Sequence, residues 1–191
     1  MSHRVADYPI NNLILNRWSP RAMSAEKVTH EELMSLFEAA RWAPSSYNNQ
    51  PWAFVYVTQT DTAFSDWLDT LVPFNKEWAQ HASALIAVLS KNNFHFNNKP
   101  SRTHAFDTGA AWQNIALQGN TMNLVIHGME GFSYEKIAHI IQMPDGYTLH
   151  MLFAVGKSGK KELLSPEMQK QEAPNDRKKI ETFVFTNSFK K

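Results

Sequence analysis

The chain has 191 residues, 43% of them hydrophobic and 12% aromatic, enough to bury one sizeable core, so a single domain spanning residues 1–191 is expected. A formal net charge of +1, with basic runs no longer than Lys160-Lys161 and Arg177-Lys178-Lys179, argues against a nucleic-acid partner. No cysteine is present, which excludes disulfides, thiolate catalysis and thiolate metal sites, so redox chemistry would have to come from a cofactor.

The N-terminal stretch carries Asp7, Asn11, Asn12, Asn16 and Arg17 without a continuous apolar run, so neither a signal peptide nor a membrane span is expected and the cytoplasm is the default location. Arg17-Trp18-Ser19-Pro20-Arg21 follows, and its two guanidiniums and hydroxyl suit a phosphate. Thr29-His30-Glu31-Glu32 fits a capping box, and Leu33, Leu36, Phe37 and Ala40 then recur at helical spacing. Pro44 biases Ala43 away from the helical region and ends that helix. The segment Ala43-Pro44-Ser45-Ser46-Tyr47-Asn48-Asn49-Gln50-Pro51-Trp52 comes next, with two hydroxyls and three amides in one compact turn. It reads as a binding loop.

Trp52 to Thr58, aromatic and β-branched, predicts a largely buried strand. Phe64, Trp67, Leu68 and Leu71 mark a second amphipathic helix ended near Pro73, and Ala84 to Leu89 is a strand-like apolar run. From about Thr103 to Val125 no proline interrupts a long helix with apolar residues on more than one face, which wants cover all round. Tyr134 to Ile141 predicts a short helix and His150 to Gly156 a strand. Lys157 to Asp176 reads as an extended connection, and Ile180 to Phe185 as a weak terminal strand. The alternation of elements is that of mixed α/β folds.

Several common chemistries find no support. None of the seven glycines stands in a Gly-x-Gly arrangement, so the dinucleotide fingerprint is absent. Gly156-Lys157-Ser158 resembles the end of a phosphate-binding loop, but Met151 occupies the upstream glycine position. His81, His95, His104, His127 and His139 show no helical metal-binding pairing, and no metal is expected. Ser45 and Ser46 lack a nucleophile elbow, which leaves them hydrogen bonding as a role.

Two of these segments together resemble the FMN-dependent nitroreductase family. Arg17-Trp18-Ser19-Pro20-Arg21 matches the family's Arg-x-Ser-x-Arg/Lys motif, and Ala43 to Trp52 matches its Ala/Ser-Pro-Ser-Ser-x-Asn-x-Gln-Pro-Trp motif. Asn75-Lys76-Glu77-Trp78 is similar to the segment carrying an asparagine near the flavin pyrimidine, although Trp78 stands where some branches have lysine. Asp107 to Leu117 resembles the long central helix, and Gly128-Met129-Glu130-Gly131-Phe132 the segment passing the isoalloxazine. Arg177-Lys178-Lys179-Ile180-Glu181 resembles the C-terminal stretch whose arginine helps hold the phosphate, while Asn175 replaces a lysine of some members.

The resemblance implies an α+β, nitroreductase-like fold: a central, mainly antiparallel sheet flanked by helices, in an interlocked homodimer with two FMN molecules at the interface. The tail from about residue 160 to 191 would reach across the partner. Arg17, Arg21 and Arg177 would neutralise the phosphate, with Ser19 as a hydroxyl donor and Trp18 beside them. Pro44, Ser45 and Ser46 would approach a flavin held largely by the other subunit. The amides of Asn48, Gln50 and Asn75 would meet the pyrimidine edge, and the Met129-Glu130-Gly131 backbone would face N5 or O4. NADH or NADPH would donate hydride, an aromatic small molecule such as a nitroaromatic or quinone would accept it, and no side chain is expected to be catalytic in its own right. Trp18, Tyr47, Phe74 and Trp78 are candidates for lining an acceptor pocket, or for packing in a core. Two other functions remain open at this point: another flavin reaction on the same fold, such as dehydrogenation, dehalogenation or flavin fragmentation, and a non-catalytic FMN-binding module.

Overall fold

The computed structural model describes residues 4–24 and 26–189; residues 1–3, Ala25, Lys190 and Lys191, and with them the ends of the expected domain and tail, lie outside the described residues. In chain order the elements are α1 (Asn12–Asn16), α2 (His30–Arg41), β1 (Trp52–Thr58), α3 (Phe64–Leu68), α4 (Pro73–Ala79), β2 (Ala84–Lys91), α5 (His104–Thr121), β3 (Leu124–Met129), α6 (Tyr134–Ile140), β4 (Tyr147–Lys157) and α7 (Pro166–Gln171). The strands form one sheet in the order β1-β2-β4-β3, and each of its pairings is antiparallel.

Strand β2 explains the layering. Because successive side chains of a strand point to opposite faces, Ala84, Ile86 and Val88 join one core and Leu85, Ala87 and Leu89 the other. The first core lies under α2 and α5, through Leu33, Leu36, Ala40, Ala111 and Ile115. The second is closed by Trp67, Leu71, Trp78, Ile137 and Met168 from the helices on the far side. A strand covered on both faces reads as a continuous apolar run, and that is why 84–89 shows no alternation. Each buried Leu, Ile or Val on it contributes roughly 1.5–3 kcal/mol relative to exposure.

Between β2 and β4 the register slips by one: Val88 faces Met151 and Leu89 faces Leu149, so His150 is the extra residue of a bulge. The bulge turns its ring to Ser90, whose Oγ lies 2.6 Å from His150 Nε2 and 2.6 Å from His104 Nδ1. One hydroxyl hydrogen cannot serve both rings, so at least one imidazole donates to Ser90. Burial first, and His104 second, push His150 below the usual histidine value.

Four element boundaries differ from the sequence expectations. The helix expected to reach Val125 ends at Thr121, because Asn123 adopts a left-handed φ of 55° that turns the chain into β3; Leu124-Val125-Ile126 extends the apolar pattern but pairs with β4. Pro73 does not merely follow a helix; it opens α4 at the first helical position, where its missing N–H costs nothing. The expected connection 157–176 contains α7, also opened by a proline. Ile180 to Phe185 is not a strand; Ile180–Thr182 forms a single 3-10 turn, and no strand lies alongside to pair with it among the described residues.

The capping box at Thr29 forms as expected: Thr29 Oγ1 accepts from Glu32 N at 3.2 Å and Glu32 Oε2 accepts from Thr29 N at 2.8 Å. Glu32 Oε1 also accepts from Lys157 Nζ at the end of β4, so one carboxylate caps α2 and ties it to the sheet. The Lys157 hydrogen bond, followed by the Thr29 backbone bond, lowers the Glu32 carboxyl below its ordinary 4.5. A depressed carboxyl contributes stability that is fully present above 4.5 and is lost as pH falls through the lower folded value. Urea unfolding across that acidic range is expected to show a shallower loss of stability for Glu32→Gln than for the wild type.

Candidate functional site

The segment 17–21 runs in extended backbone out of α1, whose C-cap is Arg17 itself, and lies along the edge strand β3. Two contacts fix it there. His127 of β3 has its Nδ1 2.8 Å from Pro20 O, and since a carbonyl only accepts, Nδ1 carries the proton and donates. The His127 ring packs on Trp78 at 4.5 Å between centroids. Burial dominates in pushing His127 below the usual histidine value, with the Pro20 carbonyl opposing and Arg21 assisting. From the other side Glu172, just after α7, accepts from both Arg21 N at 2.7 Å and Ala22 N at 2.8 Å. Its second oxygen lies 3.8 Å from Arg21 NH1, and its side chain is 4% exposed. The Arg21 guanidinium also sits over the Phe74 ring at 5.4 Å.

These contacts form a cavity of about 500 Å³ lined by Arg17, Trp18, Ser19, Arg21 and His127, together with Arg4 from the N-terminal arm and Gln171, Ala173, Asn175 and Arg177 from the tail. No carboxylate is among its lining residues. Arg17 NH1 donates to Ser19 Oγ at 3.2 Å, which leaves the hydroxyl hydrogen free. Burial, then Arg177, then Arg4 lower the proton affinity of Arg17. Like charges are held together here with no carboxylate in the cavity wall. Arg21 Nε and Arg4 NH2 are buried with no hydrogen-bond partner among the described residues. Such a set of donors and charges suits a phosphate group, the terminal group of FMN.

The Pro44–Gln50 loop is built separately. Ser45 Oγ accepts from Gln50 N at 3.0 Å, Ser46 N donates to Asp107 Oδ2 at 3.1 Å, and Gln50 Nε2 donates to Asn48 O at 3.1 Å. Buried Asn49 accepts from His95 N at 2.9 Å. These bonds hold Tyr47, Asn48 and Gln50 at φ of 54°, 52° and 47°, a left-handed conformation that non-glycine residues seldom adopt. Tyr47 is 82% exposed and packs edge-on against Phe94 at 5.8 Å, with Phe96 beside it at 5.9 Å. No residue of this loop lines the arginine cavity of its own chain.

A third group forms where β3 ends. Gly131 O accepts from Val72 N at 3.0 Å and from Asn75 Nδ2 at 3.1 Å, while the Gly131 N–H has no acceptor among the described residues. A Cβ at Gly131 would fall 2.7 Å from Asn75 Nδ2 and 2.8 Å from Val72 Cγ2, so only glycine allows this approach. Met129 is buried in the core and Glu130 is exposed, and the Asn75–Gly131 hydrogen bond brings Asn75 to the Met129-Glu130-Gly131 segment. Of the aromatic candidates, Trp78 is 1% exposed and belongs to the core. Trp18 lines the cavity, and Phe74 stands at its margin under Arg21.

Arg4, Gln171 and Glu172 were not singled out from the sequence, and His127 was weighed there only as a metal ligand. Arg4, His127 and Glu172 reach the site through contacts between distant parts of the chain, as in the 107 positions from His127 to Pro20 and the 150 from Glu172 to Ala22.

Fold and site together define an α+β protein with a cationic cavity beside the edge of an antiparallel sheet. The chain belongs to the Nitroreductase family, whose model matches residues 14–157. It is 46% identical over 127 residues to the oxygen-insensitive NADPH nitroreductase of Helicobacter pylori strain J99, covering 66% of this chain and 55% of that protein. A stretch of 69 residues is 36% identical to the putative NAD(P)H nitroreductase YdgI of Bacillus subtilis strain 168, covering 36% of this chain and 32% of that one. The chain thus spans about half the length of these curated relatives or less. A crystal structure described as an oxidoreductase containing FMN superposes with a TM-score of 0.92 at 35% identity, covering 97% of this chain and 96% of its own. A putative nitroreductase in complex with FMN from Desulfovibrio desulfuricans shares the fold, with a TM-score of 0.75 at 19% identity, covering 96% and 99%.

Because Glu172 satisfies the backbone N–H groups of Arg21, the last motif residue, and of Ala22 after it, Glu172→Ala is expected to destabilise the protein by about 2 kcal/mol, the cost of buried donors left unpaired. It should also speed tryptic cleavage after Lys178 and Lys179, followed by mass spectrometry, because the tail loses its anchor.

Proposed function

We propose that the protein is an FMN-dependent oxidoreductase that passes hydride from NADH or NADPH to electron-poor acceptors such as nitroaromatics or quinones. The observation that carries this reading is the carboxylate-free cavity in which Arg17, Arg21 and Arg177 converge with buried guanidinium N–H groups still unspent. When bound, FMN supplies a ring that takes up and releases hydride at N5. The chain's residues bind and orient that ring and set the charge around it.

Arg17 and Arg177 face the phosphate as charge-assisted donors, each contributing roughly 1.5–3 kcal/mol, while Arg21 divides its charge between the phosphate and Glu172. Ser19 donates its free hydroxyl hydrogen, and Trp18 walls the cavity. At the other end, Asn75 holds the Gly131 carbonyl, so the Gly131 N–H points away from the protein's own acceptors and is available to a developing negative charge. Met129 and Glu130 flank that amide. Proton transfer to product is left to water, and no side chain is assigned as acid, base or nucleophile.

The site is completed by a second copy of the chain. The Pro44–Gln50 loop, with Pro44, Ser45 and Ser46 at its start and the Asn48 and Gln50 amides at its tip, presents its polar groups away from the cavity of its own chain, as one half of a site shared between two subunits. Exposed aromatics at Trp42, Tyr47, Phe96 and Phe106 would be covered in such a homodimer, and the tail from about residue 160 would cross to the partner. No helix among the described residues is long and apolar enough to cross a membrane, and a cytoplasmic location fits the use of reduced nicotinamide.

Purified protein is expected to be yellow, and Arg17→Ala/Arg21→Ala should weaken FMN binding, measured by quenching of flavin fluorescence, on the order of 10²-fold. A colourless preparation that takes up no added FMN would sink the proposal. Reduced nicotinamide should bleach the bound flavin and menadione restore it; flavin that binds but is never bleached would leave a binding module in place of an enzyme. Light scattering should return twice the 21.9 kDa chain mass, and a monomer that still holds FMN would overturn the shared site.

A further inference from the structure

The N-terminal arm brings Arg4 into the cationic cavity, and its guanidinium is divided between two tasks. An arginine has five N–H donors in a rigid fork. Nε donates to Asn175 O at 3.0 Å, and NH1 donates to Leu15 O at 3.0 Å and Arg17 O at 2.8 Å. These three bonds join the arm to the start of the Arg17 segment and to the tail. NH2 is buried and has no hydrogen-bond partner among the described residues, although Arg4 lines the same cavity as Arg17, Ser19 and Arg177. A buried donor pair without an acceptor is rare in folded proteins unless a ligand completes it.

The charges point the same way. Arg4, Arg17 and Arg177 repel one another, and the lining offers no carboxylate to offset them. Asp176 compensates Arg4 in part but is outside the cavity wall. Arg21, by contrast, has Glu172 as a partner. The unbalanced guanidiniums are therefore Arg4, Arg17 and Arg177, a set matched by a phosphate monoester with its nearly double negative charge.

We propose that Arg4 is a ligand-binding residue of this site: through NH2 it grips the phosphate of a flavin mononucleotide and, with Arg17 and Arg177, sets the preference for phosphorylated flavin over riboflavin. It closes the phosphate end from the N-terminal side and supplies the cation that Asn175 does not. The proposal rests on the flavin reading given above.

Full-length wild type, Arg4→Gln and Arg4→Lys are titrated with FMN and with riboflavin by flavin fluorescence, at low and high salt. Arg4→Gln is expected to weaken FMN binding about tenfold or more while riboflavin binding changes little, so the preference between the two ligands shrinks. The salt dependence of FMN binding should shrink with it. Arg4→Lys should recover part of the preference, because the charge remains but the fork is lost. Equal weakening of both ligands would show that Arg4 is only a strap holding the arm, and unchanged FMN binding would show that it does not reach the phosphate; either overturns the proposal while the flavin reading stands. Wild type that binds neither flavin overturns both.

Discussion

A sheet covered on both faces leaves no room for chemistry on its surface, and this constraint shapes the rest of the molecule. Strand β2 is buried along nearly all of its length between the α2/α5 layer and the helices opposite. Polar groups placed there would be stranded, as Ser90 shows by needing two histidines around one hydroxyl. Binding groups are therefore confined to strand ends, the edge strand β3 and the chain segments that wrap the sheet. His127 on β3, Gly131 beyond its end and the loop leading into β1 are the points where the core hands over to the site.

Gathering guanidiniums costs free energy, and the surrounding structure shows how it is borne. Arg17 is half-buried near Arg4 and Arg177: burial, then Arg177, then Arg4 lower its proton affinity, and burial, then Arg177 lower that of Arg4. What holds them is neutral or backbone chemistry: Arg4 on three carbonyls, Arg177 on Asn175 and Asp176 carbonyls, the motif backbone on Glu172 and His127. The one buried carboxylate nearby, Glu172, is spent on backbone N–H groups and on Arg21. Glu172 is not among the residues that line the cavity, so of the lining guanidiniums it offsets Arg21 alone.

What was legible in the sequence was local. Thr29 and Glu32 meet across three residues, so their reciprocal cap follows from spacing alone. Pro44 stops α2, and the β-branched run after Trp52 forms β1, for reasons contained in a few neighbouring residues, although β1 is an edge strand with Val55 and Tyr56 exposed and not the largely buried strand expected. The motif residues 17–21 and 44–50 were visible because their chemistry is dense in sequence. Arg4 was not, since nothing near it suggests a partner 171 positions away. The boundary between α5 and β3 was missed because apolar residues run through it unbroken, and the signal is one asparagine in a left-handed turn. Ile180 to Phe185 has an alternating pattern without a neighbouring edge, and pattern without a partner does not make a strand.

The Pro44–Gln50 loop carries the deepest link between strain and function. Three non-glycine residues sit at positive φ, which costs on the order of 1 kcal/mol each, more for tyrosine and glutamine than for asparagine. A loop under no demand would relax or carry glycines. Here the strain is overridden from within by Ser45 on the Gln50 N–H, and from outside by Asp107 on the Ser46 N–H and Asn49 on the His95 N–H. Asp107 is itself 4% exposed and held by Thr103, so the anchor belongs to the rigid start of α5. The outcome is a preformed tip with Tyr47 propped on Phe94 and Phe96 and with Asn48 and Gln50 exposed. Preorganisation of this kind has a physical use when the tip must meet something already positioned elsewhere, because ordering is then complete before the encounter. The arginine cavity of the same chain does not include it, so the tip is ordered by its own bonds and not by contact with that cavity.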